Sequence, residues 1–159
     1  MTLIPQDPLL FKGTMQLNLD PFGQIPKEKL TGVLASVGLT GFTAESEVAE
    51  NGGNLSSGER QLVCIARAAL ASTRILLMDE ATSAVDQATD ANIHRLLSAR
   101  FNHCTILTIA HRLETIMASD RVLVMEQGQV REFAPPSQLM RDSESAFARL
   151  LAELPRTHK

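Results

Sequence analysis

Ile75-Leu76-Leu77-Met78-Asp79-Glu80 is the stretch that decides the fold. Four consecutive apolar residues lack both the alternation of a half-exposed strand and the length of a helix. They read as a strand of a parallel sheet, covered on both faces. Two adjacent acids end the run. In an open α/β sheet, ligands bind outside the carboxyl ends of the strands, and neighbouring residues there point in different directions. One acid can therefore help hold a hydrated Mg²⁺, which takes one or two carboxylates plus phosphate oxygens. The other can orient or deprotonate a water. The plainer alternative, two solvated acids in the first turn of a following helix, stays open on these six residues alone.

Upstream, residues 56–71 carry Leu62, Ile65, Ala66, Ala69 and Leu70 at three- and four-residue spacing, the mark of an amphipathic helix. Its start, Leu55-Ser56-Ser57-Gly58-Glu59-Arg60-Gln61, admits two readings. A glycine-assisted helix start offers free N–H groups and a positive dipole end to a phosphate. Ser56 and Glu59 also satisfy the S-x-x-E capping box, in which the carboxylate satisfies the helix's own N-terminus. Downstream, residues 87–100 read as a helix and Thr105-Ile106-Leu107-Thr108-Ile109 as a second buried strand. Ala110-His111 follows, which puts an imidazole at the same end of the sheet. His94, His103 and His158 read as structural or exposed.

Further out, Leu3-Ile4 reads as the tail of a strand and residues 6–24 as a polar stretch punctuated by Pro and Gly. Pro26 suits the first position of a helix that carries Leu30, Val33, Leu34 and Val37 and stops before Gly38. Residues 39–54 read as loop. Residues 112–117 form a short helix, 121–125 and 130–133 a hairpin turning at Gln127-Gly128, and two short helices start near Ser137 and Ser145. Strands alternating with helices predict an α/β domain with a mainly parallel sheet.

Composition narrows the function classes. With 159 residues, 44% hydrophobic and 21% charged, one packed domain is expected. A net charge of −3 supplies no basic footprint for nucleic acid, and without Trp or Tyr there is no strong stacking platform. No apolar run approaches the ~20 residues of a membrane span, and the N-terminus has no signal-peptide pattern. Cys64 and Cys104 have no metal or redox spacing and read as buried packing thiols.

Taken in order, Gln6, then Leu55 to Glu59, Asp79-Glu80, Ser83-Ala84-Val85-Asp86 and His111 resemble the motif set of ATP-binding cassettes (ABC). The counterparts are the Q-loop, the signature motif, Walker B with its catalytic glutamate, the D-loop and the switch histidine. Pro5-Gln6-Asp7-Pro8-Leu9-Leu10-Phe11, Asn18-Leu19-Asp20-Pro21-Phe22 and Ala110-His111-Arg112-Leu113-Glu114-Thr115-Ile116 are similar to the second nucleotide-binding domain of multidrug-resistance-associated exporters, the C subfamily. The resemblance covers residues 3 to about 151.

It implies an incomplete P-loop (RecA-like) parallel sheet and part of the helical subdomain. Within the partial cassette at 1–159 it assigns a helical and signature subregion at 17–73, the Walker B to switch-histidine core with its hairpin at 74–134, and C-terminal helices at 135–159. By analogy Glu80 polarises the attacking water and His111 contacts the γ-phosphate of ATP. Asp79 and Gln6 position Mg²⁺ and water, Ser56 and Gly58 grip the γ-phosphate held by a second cassette in a head-to-tail sandwich, and Asp86 links the two sites. The implied partners are that cassette and an exporter's transmembrane domains, at the cytoplasmic face of a membrane, with no nucleic acid.

Two features depart from the family pattern. The signature usually ends in glutamine, and here Glu59 puts a carboxylate near the phosphates unless it turns back onto its own helix. The Gly-x-x-x-x-Gly-Lys-Ser/Thr loop (Walker A) is absent from these residues, as are its strand and helix. The strands at 75–78 and 105–109 would then face a gap, and the chain by itself is expected to fold poorly and not to hydrolyse ATP. Two other function classes remain open: a non-hydrolysing module that lends Ser56 and Gly58 to a partner, and a soluble cassette ATPase, for which the usual coiled-coil insertions or basic linkers are lacking.

Overall fold

A computed structural model describes residues 1–79, 87–110 and 113–153. The chain divides into two compact units, residues 1–109 and 110–159.

In the first unit, β1 (Thr2–Ile4), β4 (Ile75–Asp79) and β5 (Thr105–Ile109) form a parallel sheet in the order β1-β4-β5. Between β1 and β4 the chain makes β2 (Gly13–Thr14), α1 (Met15–Leu19), α2 (Lys27–Ser36), β3 (Glu47–Val48) and α3 (Ser57–Leu70). Helix α4 (Gln87–Arg100) crosses from β4 to β5. The apolar stripe of α3, including Leu62 and Ile65, joins Ile4, Leu76 and Met78 of the sheet and Met15, Leu30 and Leu34 of α1 and α2 in one core. Burial of each such side chain stabilises by about 1.5–3 kcal/mol.

The opposite sheet face is open. Side chains alternate across strands, and the register places Leu3, Leu77 and Leu107 side by side. Leu3 is 57% exposed, Leu107 55% and Ile109 59%. The apolar run of β4 therefore has one covered face among the described residues, while Thr105–Ile109, expected as a buried strand, is exposed along its whole length as β5. The expected gap also takes a different form. β4 has neighbours on both sides, and among the described residues β1 and β5 are the edge strands.

Two segments read as irregular contain structure. Within 6–24, α1 forms because Thr14 caps it, Oγ1 accepting from the Leu17 N–H at 3.1 Å. Within 39–54, β3 pairs antiparallel with β2, and a 3₁₀ turn spans Glu50–Gly52. Gly52 has φ +68°, which favours glycine, and a Cβ there would lie 2.6 Å from Leu10 Cδ1, so that side-chain tip would have to shift. Pro26 is the N-cap of α2 rather than its first residue, a shift of one position.

The second unit begins with α5 (Leu113–Met117), followed by the hairpin β6 (Val122–Glu126) and β7 (Gln129–Ala134). Gln127 and Gly128 both have positive φ, as a tight two-residue hairpin turn requires. Helices α6 (Pro136–Leu139) and α7 (Ala146–Glu153) pack on it through Val124, Leu139 and Phe147. Glu132 of β7 accepts hydrogen bonds from the N–H groups of Ala146 and Phe147, at 2.7 and 3.1 Å, and from the Ser145 hydroxyl at 3.0 Å. A strand carboxylate thus satisfies the start of α7.

Candidate functional site

β1 and β4 run parallel with Ile4 opposite Met78, so the segments that follow emerge side by side at the carboxyl end of the sheet. Pro5 has no N–H and ends the β1 ladder. Gln6 follows it, exposed, and Asp79 closes β4, also exposed. Asp79 pairs with Ile109 of β5, so Ala110 leaves the sheet at the same end. The topology therefore gathers Gln6 and Asp79 from separate strands. Glu80, Asp86 and His111 lie outside the described residues. Among the described residues no three His, Cys, Asp or Glu side chains cluster as a metal site. Asp79 and Gln6 offer one carboxylate and one amide oxygen, hard donors that fit a largely hydrated Mg²⁺.

At the start of α3 the capping box is formed. Glu59 Oε2 accepts from the Ser56 N–H at 2.7 Å and from the Ser56 hydroxyl at 2.8 Å, while the Glu59 N–H donates to Ser56 Oγ at 3.2 Å. The carboxylate turns back onto its own helix, the condition under which its repulsion of phosphate is reduced. It also holds the single hydroxyl proton of Ser56. Gly58 is buried, and a Cβ there would stand 2.8 Å from Thr89 Cγ2 of α4. The absence of a side chain is needed for helix packing, whatever the glycine contacts besides.

Three polar side chains that sequence reading missed hold this region. Gln61, 4% exposed, donates from Nε2 to the carbonyls of Gln6 at 2.8 Å and Pro5 at 3.2 Å. Arg67 donates to the carbonyls of Asn18 (2.7 Å) and Leu9 (2.9 Å) and to Asn18 Oδ1 (3.1 Å). Asn18 in turn closes residues 11–18 through the backbone N–H and carbonyl of Phe11. The available signal was slight: Gln61 lies in the buried 61-65-68 stripe of α3, where an amide needs a partner. Burial pushes the Cys64 thiol above its ordinary pKa, against the opposing pull of Arg67, so it stays a packing thiol. Cys104 is only half-buried, and its Sγ–H donates to the Thr73 carbonyl at 3.0 Å.

The family model described as "ABC transporter" matches residues 1–83, more than half of the chain, and the chain belongs to that family. Its relatives narrow the likeness. It is 47% identical to multidrug resistance protein mrp-7 of Caenorhabditis elegans over 96% of this chain and 10% of that protein. It is 50% identical to the probable multidrug resistance-associated protein lethal(2)03659 of Drosophila melanogaster, over 91% and 11%. Human ATP-binding cassette sub-family C member 4 is 44% identical over 97% and 12%. The chain thus spans about a tenth of the length of these curated relatives. The structure of a bacterial Atm1-family ABC exporter with ATP bound superposes with a TM-score of 0.85 at 32% identity, over 99% of this chain and 29% of that one. The fold is that of part of an ABC nucleotide-binding domain.

Proposed function

We propose that this chain is the part of an exporter's nucleotide-binding cassette that runs from the Q-loop to the C-terminal helices, within a second nucleotide-binding domain of the C-subfamily kind. In that reading it works with a second cassette, head to tail, to couple ATP hydrolysis to transport through transmembrane domains at the cytoplasmic face of a membrane. The observation that carries the proposal is the emergence of Gln6 and Asp79 from adjacent parallel strands, at the end of the sheet where such folds bind nucleotides.

Each residue then has a positional or electrostatic task, as phosphoryl transfer requires. Glu80 orients and polarises the attacking water. His111 donates to the γ-phosphate oxygens as charge grows on them. Asp79 and Gln6 hold water and metal in register with that phosphate, where Mg²⁺ would offset phosphate charge. Ser56 and Gly58 face the phosphate held by the other cassette, and Asp86 connects the two sites. The residues at 17–73, 74–134 and 135–159 divide into signature subregion, catalytic core and C-terminal helices.

The test is transport by inside-out membrane vesicles that contain the full-length protein carrying this chain. Uptake that requires hydrolysable ATP supports the proposal. Uptake equally fast with a non-hydrolysable analogue would overturn it, in favour of a module that only lends Ser56 and Gly58.

A further inference from the structure

The Gln61 side chain joins two parts of the site that are far apart in sequence. It sits in the second turn of α3, five residues after Ser56, or about 7.5 Å along the helix. Its partners are two consecutive carbonyls, Pro5 and Gln6, where the chain leaves β1. Both partners are acceptors, so the amide must present its NH₂ to them, and both amide protons are engaged. Its oxygen, Oε1, is buried and has no hydrogen-bond partner among the described residues. An orphaned buried acceptor is destabilising, so the orientation is held by the two carbonyls against that cost. Neither peptide could turn without leaving a proton of Gln61 unpaired in a buried place.

We propose that Gln61 is a positioning residue. By clamping the Pro5 and Gln6 carbonyls it fixes where the Gln6 side chain departs from the sheet, and it transmits displacements of α3, the helix that carries Ser56 and Gly58, to that point. This inference rests on the ATP-hydrolysing reading of the site. Gln61 itself touches no reacting atom in it. A rigid shift of α3 moves both carbonyls together, whereas loss of the amide uncouples them.

The test uses the full-length protein carrying this chain, with Gln61→Met, which keeps the volume and removes the donors. Two readouts are taken together: ATP turnover, and amide hydrogen exchange over residues 6–11 compared with 62–70. The expected result is exchange faster by about tenfold over 6–11, from the loss of two buried hydrogen bonds, with protection over 62–70 unchanged. The kcat for ATP falls at least fivefold and KM stays within twofold of the parent. Unchanged exchange over 6–11, or kcat within twofold of the parent, overturns the inference. If Gln61→Met loses protection throughout, Gln61→Leu decides by the same criteria, because it too is close in volume and cannot donate. A Glu80→Gln control separates the two levels. Should that variant hydrolyse ATP like the parent, the catalytic reading fails and this inference with it. Should only the Gln61 variants behave like the parent, the clamp alone is wrong.

Discussion

At Ser56 a local cap and a proposed phosphate contact compete for the same hydroxyl. The 2.8 Å bond to Glu59 uses the proton that a γ-phosphate would otherwise receive. Binding the phosphate means separating that pair and bringing a like charge near the carboxylate. Glutamine at this position would still accept from the Ser56 N–H through its amide oxygen, and it removes the charge. Glu59→Gln is therefore predicted to lower the ATP concentration for half-maximal hydrolysis by the full-length protein, by roughly three- to tenfold at low salt. The advantage narrows as ionic strength rises. A half-maximal concentration that is unchanged or raised in the variant would show that the carboxylate does not oppose phosphate. Gly58 illustrates a related ambiguity. Its motif position suggests a ligand contact, while its 2.8 Å approach to Thr89 supplies a packing reason for the same glycine.

Among the elements, those specified by short-range pattern were legible in the sequence. β4 and β5 follow from apolar runs, α3 from a capping box and a continuous stripe, and the hairpin turn from Gln127-Gly128. Those specified by distant partners were not. The two-residue strand β3 exists because β2 pairs with it. The segment 9–18 is held by Arg67, whose acceptors lie 49 and 58 residues away. The candidate site shows the same division. Gln6 and Asp79 could be placed at strand ends from the sequence, but the Gln61 clamp could not, since its acceptors are backbone carbonyls and carry no residue signature. In the second unit, a single side chain of β7 caps the start of α7. Partial burial pulls the Glu132 carboxyl upward, but the Ala146 and Phe147 N–H groups and the Ser145 hydroxyl outweigh it and hold the pKa below the ordinary 4.5. A depressed folded-state value means that the stabilisation is complete above the unfolded value and is lost as pH falls through the folded one. Glu132→Gln is accordingly predicted to speed hydrogen exchange in α7 at pH 7, with the difference from the parent narrowing as pH falls below the ordinary 4.5 and through the folded value. Equal exchange at pH 7 would contradict the capping role.

At the scale of the whole molecule, the open sheet face is the largest departure from an ordinary core. Leu3, Leu77, Leu107 and Ile109 line one side of a parallel sheet, a class of sheet that normally has both faces covered. Residues 1–159 produced alone are predicted to bind the hydrophobic dye ANS, and Leu107→Lys to reduce that binding with helix content intact. No dye binding by the parent segment would mean that this face is covered. The central claim is that these residues belong to a cassette whose Glu80 activates water. The most direct measurement is ATP hydrolysis by the full-length protein carrying this chain, compared with its Glu80→Gln variant. Loss of turnover by about a hundredfold or more, with ATP still bound, is the predicted result, and turnover within twofold of the parent would contradict it.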